Sequence, residues 1–470
     1  MNKKIIIAFL LTLFASGIAD TARAGNPKKK RAKKHAVQQT QANSETSEDS
    51  EYKEKKISRE EKKKKRLERK RLKKERKEQM RLEKEAEKIK KKSAGQTVKD
   101  FAPFKYPATT FKSKYQLHIL ASLYLDELVQ KKSVTFKNKV PDKALPGISF
   151  YEGVSIAADS LKKAGFDIDI FVHDITSTAE SLDSLFFKNT LDSADLIIGA
   201  IQTADIPRVA DFAKAHKINF VSALSPSDAG VKNNKYFTLL QPSLRSHCQR
   251  ISGDITNKFP GMKVSLIYRT SSEADENAYR YITENEKVKY TPLLCTFVPN
   301  RRDLLTIFDT TKPNIVVVPV LDRAFADSLL KAISKNFGAV QFEVYGMPSW
   351  SALNNLRKEE VFPNLSVNVT TSLNLDMNTP VTKYLAATYK NLYGGKPSES
   401  VYLGFETVMW YASLLKTYGT MFNSGYNDNS AAPFTKFEVM QLRDKEGHIL
   451  YSENKHIMLS RYEGGTMKTQ

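Results

Sequence analysis

Residues 194–226 read ADLIIGAIQTADIPRVADFAKAHKINFVSALSP. Two continuous apolar runs, Leu196–Ile201 and Asn219–Leu224, bracket an amphipathic stretch, Asp205–His216. A short apolar run without polar alternation suits a strand in a sheet covered on both faces. A helical period between two such runs reads as the crossover of a parallel β-α-β unit. The unit recurs on both sides. Upstream, strands Tyr115–Leu125 and Asp167–Val172 flank a helix over Tyr151–Ala164, and a helix over Thr178–Leu191 leads into Leu196. Downstream lie strands Lys263–Tyr268, Tyr290–Cys295, Asn314–Leu321 and Phe342–Gly346. Helices over Leu244–Lys258, Glu273–Glu286, Asp303–Thr310 and Arg323–Phe337 accompany them. Two successive sets predict two α/β lobes, with a ligand at the carboxyl ends of the strands between them.

The chain has 470 residues, 41% of them hydrophobic, with 25 Phe and 20 Tyr, which is enough for a large packed core. Its 74 Lys and Arg against 52 Asp and Glu leave a net +22, a balance that invites nucleic acid as a partner. The excess is local. Residues 26–100 hold 29 basic and 14 acidic residues, net +15, whereas residues 101–470 carry only +5. Met1–Ala24 reads as an export signal: Lys3 and Lys4, an apolar Ile5–Ala15, and Ala22-Arg23-Ala24 before Gly25. The expected destination is the periplasm or exported cell envelope of a bacterium. That destination removes most of the weight from a nucleic-acid reading of Lys28–Lys34, KKKRAKK.

Residues 25–100 form a basic arm. Within 51–92 there is no Gly or Pro, and Glu60/Lys64, Glu61/Lys65 and Glu87/Lys91 stand four residues apart in the favourable order. The stretch suits either a charged, exposed helix or a disordered basic tail. Its apolar residues, among them Leu67, Leu72 and Met80, are too sparse for a sustained coiled-coil seam. The expected partners of the arm are a cell-wall polymer or an anionic membrane surface.

Four passages in the body resemble a known family. Phe150–Gly165, FYEGVSIAADSLKKAG, resembles the first helix of type 1 periplasmic binding proteins, the fold of branched-chain amino-acid receptors of ABC importers. Ala194–Ile201, ADLIIGAI, resembles their third strand, where a Gly lets the chain turn beside the ligand. Ile218–Pro226, INFVSALSP, resembles the fourth strand and its binding loop, and Leu403–Ala412, LGFETVMWYA, the late helix returning to the first lobe. The resemblance spans roughly residues 113–465. It extends to a bacterial group in which LysM repeats often precede this domain; no such repeat is apparent here, and the charged arm takes that place. It implies two Rossmann-like lobes with parallel sheets joined by a three-crossing hinge. Lobe 1 would cover about 113–245 and 377–425, and lobe 2 about 246–376 and 426–465. Function would be closure around a small ligand, in partnership with an ABC permease or a sensor.

Strand ends of the first lobe offer Gln202, Thr203, Ser225 and Ser227, whose hydroxyls and loop N–H groups suit a ligand carboxylate and equally suit turns and caps. In the family these loops hold the ligand α-carboxylate. On the second lobe Arg269, Thr270, Asp322 and Trp350 follow strands, and Trp350 offers a ring to stack on a ligand. The family's amino-acid receptors place an acid after the strand exit corresponding to Gln241–Cys248. Here that segment reads QPSLRSHC, with Arg245 and His247 but no carboxylate, and Tyr345–Trp350, YGMPSW, also lacks one. An unpaired ligand ammonium in a closed cleft is costly, so Arg245 and Arg269 point to an anionic or polyhydroxylated ligand. A degenerate cleft is equally compatible. Residues 125–147 form a Lys-rich insertion expected at the cleft mouth, as a lid, a partner surface or a plain loop.

No H-E-x-x-H, G-x-S-x-G or Walker A pattern occurs, and the seven His show no metal-ligand spacing, so no enzyme, metal or cofactor is expected. His118 and His173 read as structural. Cys248 and Cys295 leave a disulfide open. Two functions stand: an exported solute-binding protein, or a non-transport envelope interaction protein with a binding-protein-like body.

Overall fold

The computed structural model describes residues 106–469, apart from 131–132, 137–138 and 374. The export segment expected over 1–24 and the arm expected over 25–100 lie outside the described residues.

The chain first lays down β1 (Tyr115–Ala121), a one-turn α1 (Leu125–Leu128), β2 (Val129–Gln130), β3 (Ser133–Val134), α2 (Leu145–Lys163) and β4 (Ile168–Asp174). α3 (Leu182–Phe187), β5 (Leu196–Ala200), α4 (Ile206–His216), β6 (Asn219–Ser222) and β7 (Phe237–Leu239) follow. A second set comprises α5 (Leu244–Lys258), β8 (Lys263–Tyr268), α6 (Glu273–Thr283), β9 (Lys289–Leu294) and α7 (Arg301–Leu304). It continues with β10 (Asn314–Val317), α8 (Arg323–Asn336), β11 (Phe342–Gly346) and β12 (Leu365–Thr371). The last part holds α9 (Pro380–Tyr393), α10 (Glu399–Tyr418), β13 (Val439–Arg443), β14 (Ile449–Asn454), β15 (Met458–Glu463) and β16 (Thr466–Thr469).

Two seven-stranded sheets result, in the orders β13-β14-β7-β6-β5-β1-β4 and β16-β15-β12-β11-β10-β8-β9. β14 through β4 run parallel in the first sheet, and β12 through β9 in the second. This is the expected pair of α/β lobes. Three crossings join them: after β7, after β12, and at 455–457 between β14 and β15. Each crossing leaves a strand at its carboxyl end, and Met458 enters the second sheet opposite Thr371, the last residue of β12. The carboxyl edges of the two sheets therefore meet at the hinge.

The third crossing corrects the expected boundary. Residues 426–454 belong to the first lobe, because β13 and β14 extend its sheet beyond β7. Tyr426 and Phe437 pack against Trp410 in the same core, with ring centroids 6.3 and 4.0 Å away.

Local chemistry explains the helices. Ser243 caps α5, Ser272 caps α6, Asp322 caps α8 and Thr379 caps α9, each accepting backbone N–H groups. α2 starts earlier than its apolar period suggests, since Pro146 sits in its first turn. α2 and α10 cross through two glycines. A Cβ on Gly153 would stand 2.0 Å from the Val401 carbonyl oxygen, and one on Gly404 would stand 2.1 Å from that of Phe150. The two passages resembling a first and a late helix are thus one close-packed pair. The insertion at 125–147 carries α1, the β2–β3 hairpin and a small core of Leu128, Val140 and Ala144.

Candidate functional site

Adjacent strand ends of the first lobe bring hydroxyls together. Ser122 follows β1 and its N–H donates to Ala200 O at 3.2 Å, tying the exits of β1 and β5. Its Oγ is buried and has no protein partner. Thr203, beyond β5, and Ser225, beyond β6, place their hydroxyl oxygens 3.0 Å apart. Ser225 Oγ also accepts the Ser227 N–H at 3.2 Å, and Ser227 Oγ accepts the Ala229 N–H at 3.1 Å, so Ser227 shapes its own loop. Gln202 is exposed at the start of the 3-10 turn Thr203–Asp205. Gly199 does not turn the chain. It lies inside β5, where its missing side chain leaves room for the Phe220 ring, 2.9 Å from where a Cβ would be.

Asp174, which the sequence reading passed over, organises the exit of β1. It is buried at the end of β4. Its carboxylate accepts N–H groups of Leu123 at 3.0 Å, Leu125 at 2.8 Å and Thr176 at 3.1 Å. Tyr124, between the first two donors, is held at φ 56°, a left-handed conformation for a bulky residue. A lone Asp closing an apolar strand was the available signal.

The second-lobe candidates serve mainly one another. Arg269 pairs with Asp275 at 3.2 Å and with Asp322 at 3.4 Å, and lies over the Phe325 ring at 4.6 Å. Asp322 accepts N–H groups of Ala324 and Phe325 as the α8 cap. The Phe325 bond is the largest influence, and with the Ala324 bond and Arg269 it holds the carboxyl below the ordinary aspartate value. Thr270 is half-buried beside Arg269. Arg245 is not brought to this group. It pairs with Glu284 beyond α6 and lies 4.2 Å over the Tyr281 ring.

Trp350 requires a correction. It is fully buried, donates its indole N–H to Val320 O at 2.8 Å, and fills the space left by Gly346. It is a core residue and offers no face for stacking on a ligand.

The hinge carries a polar clasp. Gln241 on the first crossing donates to Ala223 O at 3.1 Å and accepts from Ser372 on the second at 3.0 Å. Glu453, at the third crossing, accepts the Ser243 N–H at 2.8 Å and the Ser246 hydroxyl at 2.6 Å, and pairs with Lys455 at 2.7 Å. Burial alone would raise the Glu453 carboxyl. The Lys455 charge and these bonds outweigh it and hold the carboxyl below the ordinary glutamate value. A carboxylate thus reaches the QPSLRSHC segment from a distant part of the chain, and it is already neutralised. His247, buried beside it, is pushed down to about 4 by burial.

His118 and His173 face each other across β1 and β4 at 3.0 Å, buried, with His118 pushed down to about 4 by burial and by its neighbour. Cys248 and Cys295 are free thiols. Among the described residues no helix is long and apolar enough to cross a membrane.

No protein-family model and no curated protein sequence matches the chain. Solved structures do. A Rhodospirillum rubrum protein described as a branched-chain amino acid ABC transporter matches with a TM-score of 0.56 at 13% identity, over 76% of this chain and all of its own. An ABC-type branched-chain amino acid transporter of Rhodopseudomonas palustris gives 0.51 at 14% identity, over 76% of this chain and 95% of its own. LpoA of Haemophilus influenzae gives 0.51 at 10% identity, over 77% of this chain but 59% of its own. With two mostly parallel sheets meeting at three crossings, the body of the chain has the type 1 periplasmic-binding-protein fold.

Proposed function

We propose that this chain is an exported, non-enzymatic solute-binding protein that closes two lobes around a small amino-acid-like or anionic ligand, for an ABC permease or a sensor. The observation carrying this reading is the group of hydroxyls at adjacent strand ends of the first lobe. The Thr203–Ser225 pair stands at 3.0 Å, with the buried, unpartnered Ser122 hydroxyl one strand away. Such groups present donors to a carboxylate without a cation. The strand order supports the reading, since β6 lies beside β7, after which the first crossing leaves.

Thermal-shift screening of the full chain against amino acids, organic acids and nucleosides tests it. A ligand at about 100 times its Kd adds about 2.7 kcal/mol of stability. Thr203→Val and Ser225→Ala should abolish the shift while the unliganded transition stays in place. A broad panel without any shift overturns the reading.

A second reading, an envelope interaction protein whose body docks another protein, is favoured by one observation. Arg245 and Arg269, the cations expected to greet an anionic ligand, are committed to Glu284, Asp275 and Asp322. Capture of an envelope component that is lost on deleting residues 26–92, with no small-molecule shift, would favour it over transport.

A further inference from the structure

The edges of the two sheets are guarded unequally. An edge strand presents a row of free N–H and C=O groups, which natural proteins blunt with Pro, bulges or short strands. Three of the four edges carry such a device. β9 has Pro292 within it, which removes an N–H from the ladder. β13 has an irregular register at Leu442/Arg443, and β16 is four residues long. β4, the remaining edge, runs seven residues with no Pro and an unbroken register against β1.

Backbone directions show which groups β4 presents. Asp167 O accepts the Tyr115 N–H, and the Ile175 N–H donates to Ala121 O, so the odd-numbered residues from 167 to 175 turn their backbone groups to β1. Ile168, Ile170, Val172 and Asp174 therefore turn theirs outward. The Asp174 N–H donates to Glu180 at 3.2 Å. Among the described residues no other strand pairs with this edge. Phe171, at its middle, is 40% exposed and stacks on the His118 ring at 4.9 Å. Lys114 pairs with Asp169 at 2.9 Å, which weakens the one charge that would guard the edge.

The strand, IDIFVHD, is its own antiparallel complement about Phe171. Outward groups bond only to outward groups, so an antiparallel copy can set Ile170 against Val172 as a hydrogen-bonded pair. That register sets Phe171 against Phe171 and Asp169 against His173, all on one face: a ring pair flanked on both sides by an acid beside an imidazole. Registers displaced by two residues either way break up both kinds of pair. We infer that β4 is the interface of a homodimer, in which two copies pair antiparallel about a two-fold axis at Phe171 and join their first-lobe sheets into one. The inference does not rest on any ligand at the hinge.

Sedimentation velocity of the full chain over a range of concentrations reads the association. The parent should form a dimer. Phe171→Lys should weaken it about tenfold with an unchanged thermal transition, since it loses the ring pair and sets two cations opposite each other. Cysteine replacement reads the register. Phe171→Cys should form a 171–171 disulfide on mild oxidation, identified by peptide mapping, because a non-hydrogen-bonded pair brings its Cα atoms to about 4.5 Å. Asp169→Cys should form no 169–169 link, because the register sets those positions about 14 Å apart along the strands. A parent chain that stays monomeric overturns the inference. So does a dimer that gives no 171–171 link, or one that the folded Phe171→Lys variant leaves undiminished. The parent's sedimentation and the Phe171→Cys link decide the matter even where Phe171→Lys fails to fold.

Discussion

Gly404→Ala should destabilise the protein, and Gly253→Ala, the same change in another helix, should stabilise it. Both glycines are helical, in α10 and α5. Alanine favours a helix interior over glycine by about 1 kcal/mol. At Gly253 nothing lies within 4 Å of the added Cβ, so that gain of about 1 kcal/mol is the whole effect. At Gly404 the Cβ would stand 2.1 Å from Phe150 O, a backbone atom that no rotamer change can move. Ordinary contact starts at 3.4 Å, so the helices must part by about 1.3 Å along that line. A gap of about 1 Å already forfeits up to half of each dispersion contact along the crossing. That crossing buries Phe150, Val154, Val401 and Phe405. Overpacking of this kind costs about 1–3 kcal/mol, at the upper end where backbone meets backbone, which leaves a net loss of about 2 kcal/mol after the helix gain. Gly153→Ala should behave alike, and the double variant should lose less than the sum, since one separation relieves both clashes. Urea unfolding followed by far-ultraviolet circular dichroism reads both lobes, and so both variants. A Gly404→Ala chain as stable as its parent, in an assay that registers the Gly253→Ala gain, refutes the close-packed crossing.

Glu453→Gln should lower stability by about 3 kcal/mol at neutral pH, because it leaves Lys455 beside a neutral group in a mostly buried site. The Glu453 carboxyl is held low in the folded state, so its contribution is present above the unfolded value and is lost as pH falls through the folded one. The parent's melting temperature should therefore drop on acidification more than the variant's. Glu152 shows the opposite sign: burial pushes it up to about 7, against a Tyr389 bond that lowers it. Its contribution is present below about 4.5 and lost as pH rises through about 7, so Glu152→Gln should flatten that decline in melting temperature. Trp350→Phe should lower second-lobe stability through its lost bond to Val320 and its lost volume, by about 2 kcal/mol, and leave any ligand-induced thermal shift unchanged. A reducing agent should not move the unfolding transition, since both cysteines are free.

Much of the fold was legible because its central strands are buried on both faces. Leu196–Ala200, Asn219–Ser222 and Asn314–Val317 are buried at every position, and each stands out as an apolar run. The late strands were not legible. Gln441, Leu442 and Arg443 alternate no clear apolar face, and β16, TMKT, is mostly exposed. These edge strands pair with β14 and β15, which are themselves recruited by β7 and β12, contacts of long sequence separation that no local period announces. Hence the lobe boundary expected at 425–426 falls instead at 455–457.

The candidate site divides along the same line. Residues nominated for their place at a strand end, Thr203 and Ser225, lie beyond β5 and β6 with their hydroxyls 3.0 Å apart, because strand ends were well located. Residues nominated for their charge or ring fared otherwise, since a cation's role depends on which acid reaches it first. Asp275 lies on the next helix and Glu284 one residue past that helix, so Arg269 and Arg245 are each neutralised within their own lobe. An anion bound by Arg269 would have to displace Asp275 or Asp322 from it. Hydroxyls impose no such exchange. A ligand that binds should therefore lose its affinity with Ser225→Ala or Thr203→Val sooner than with Arg245→Ala.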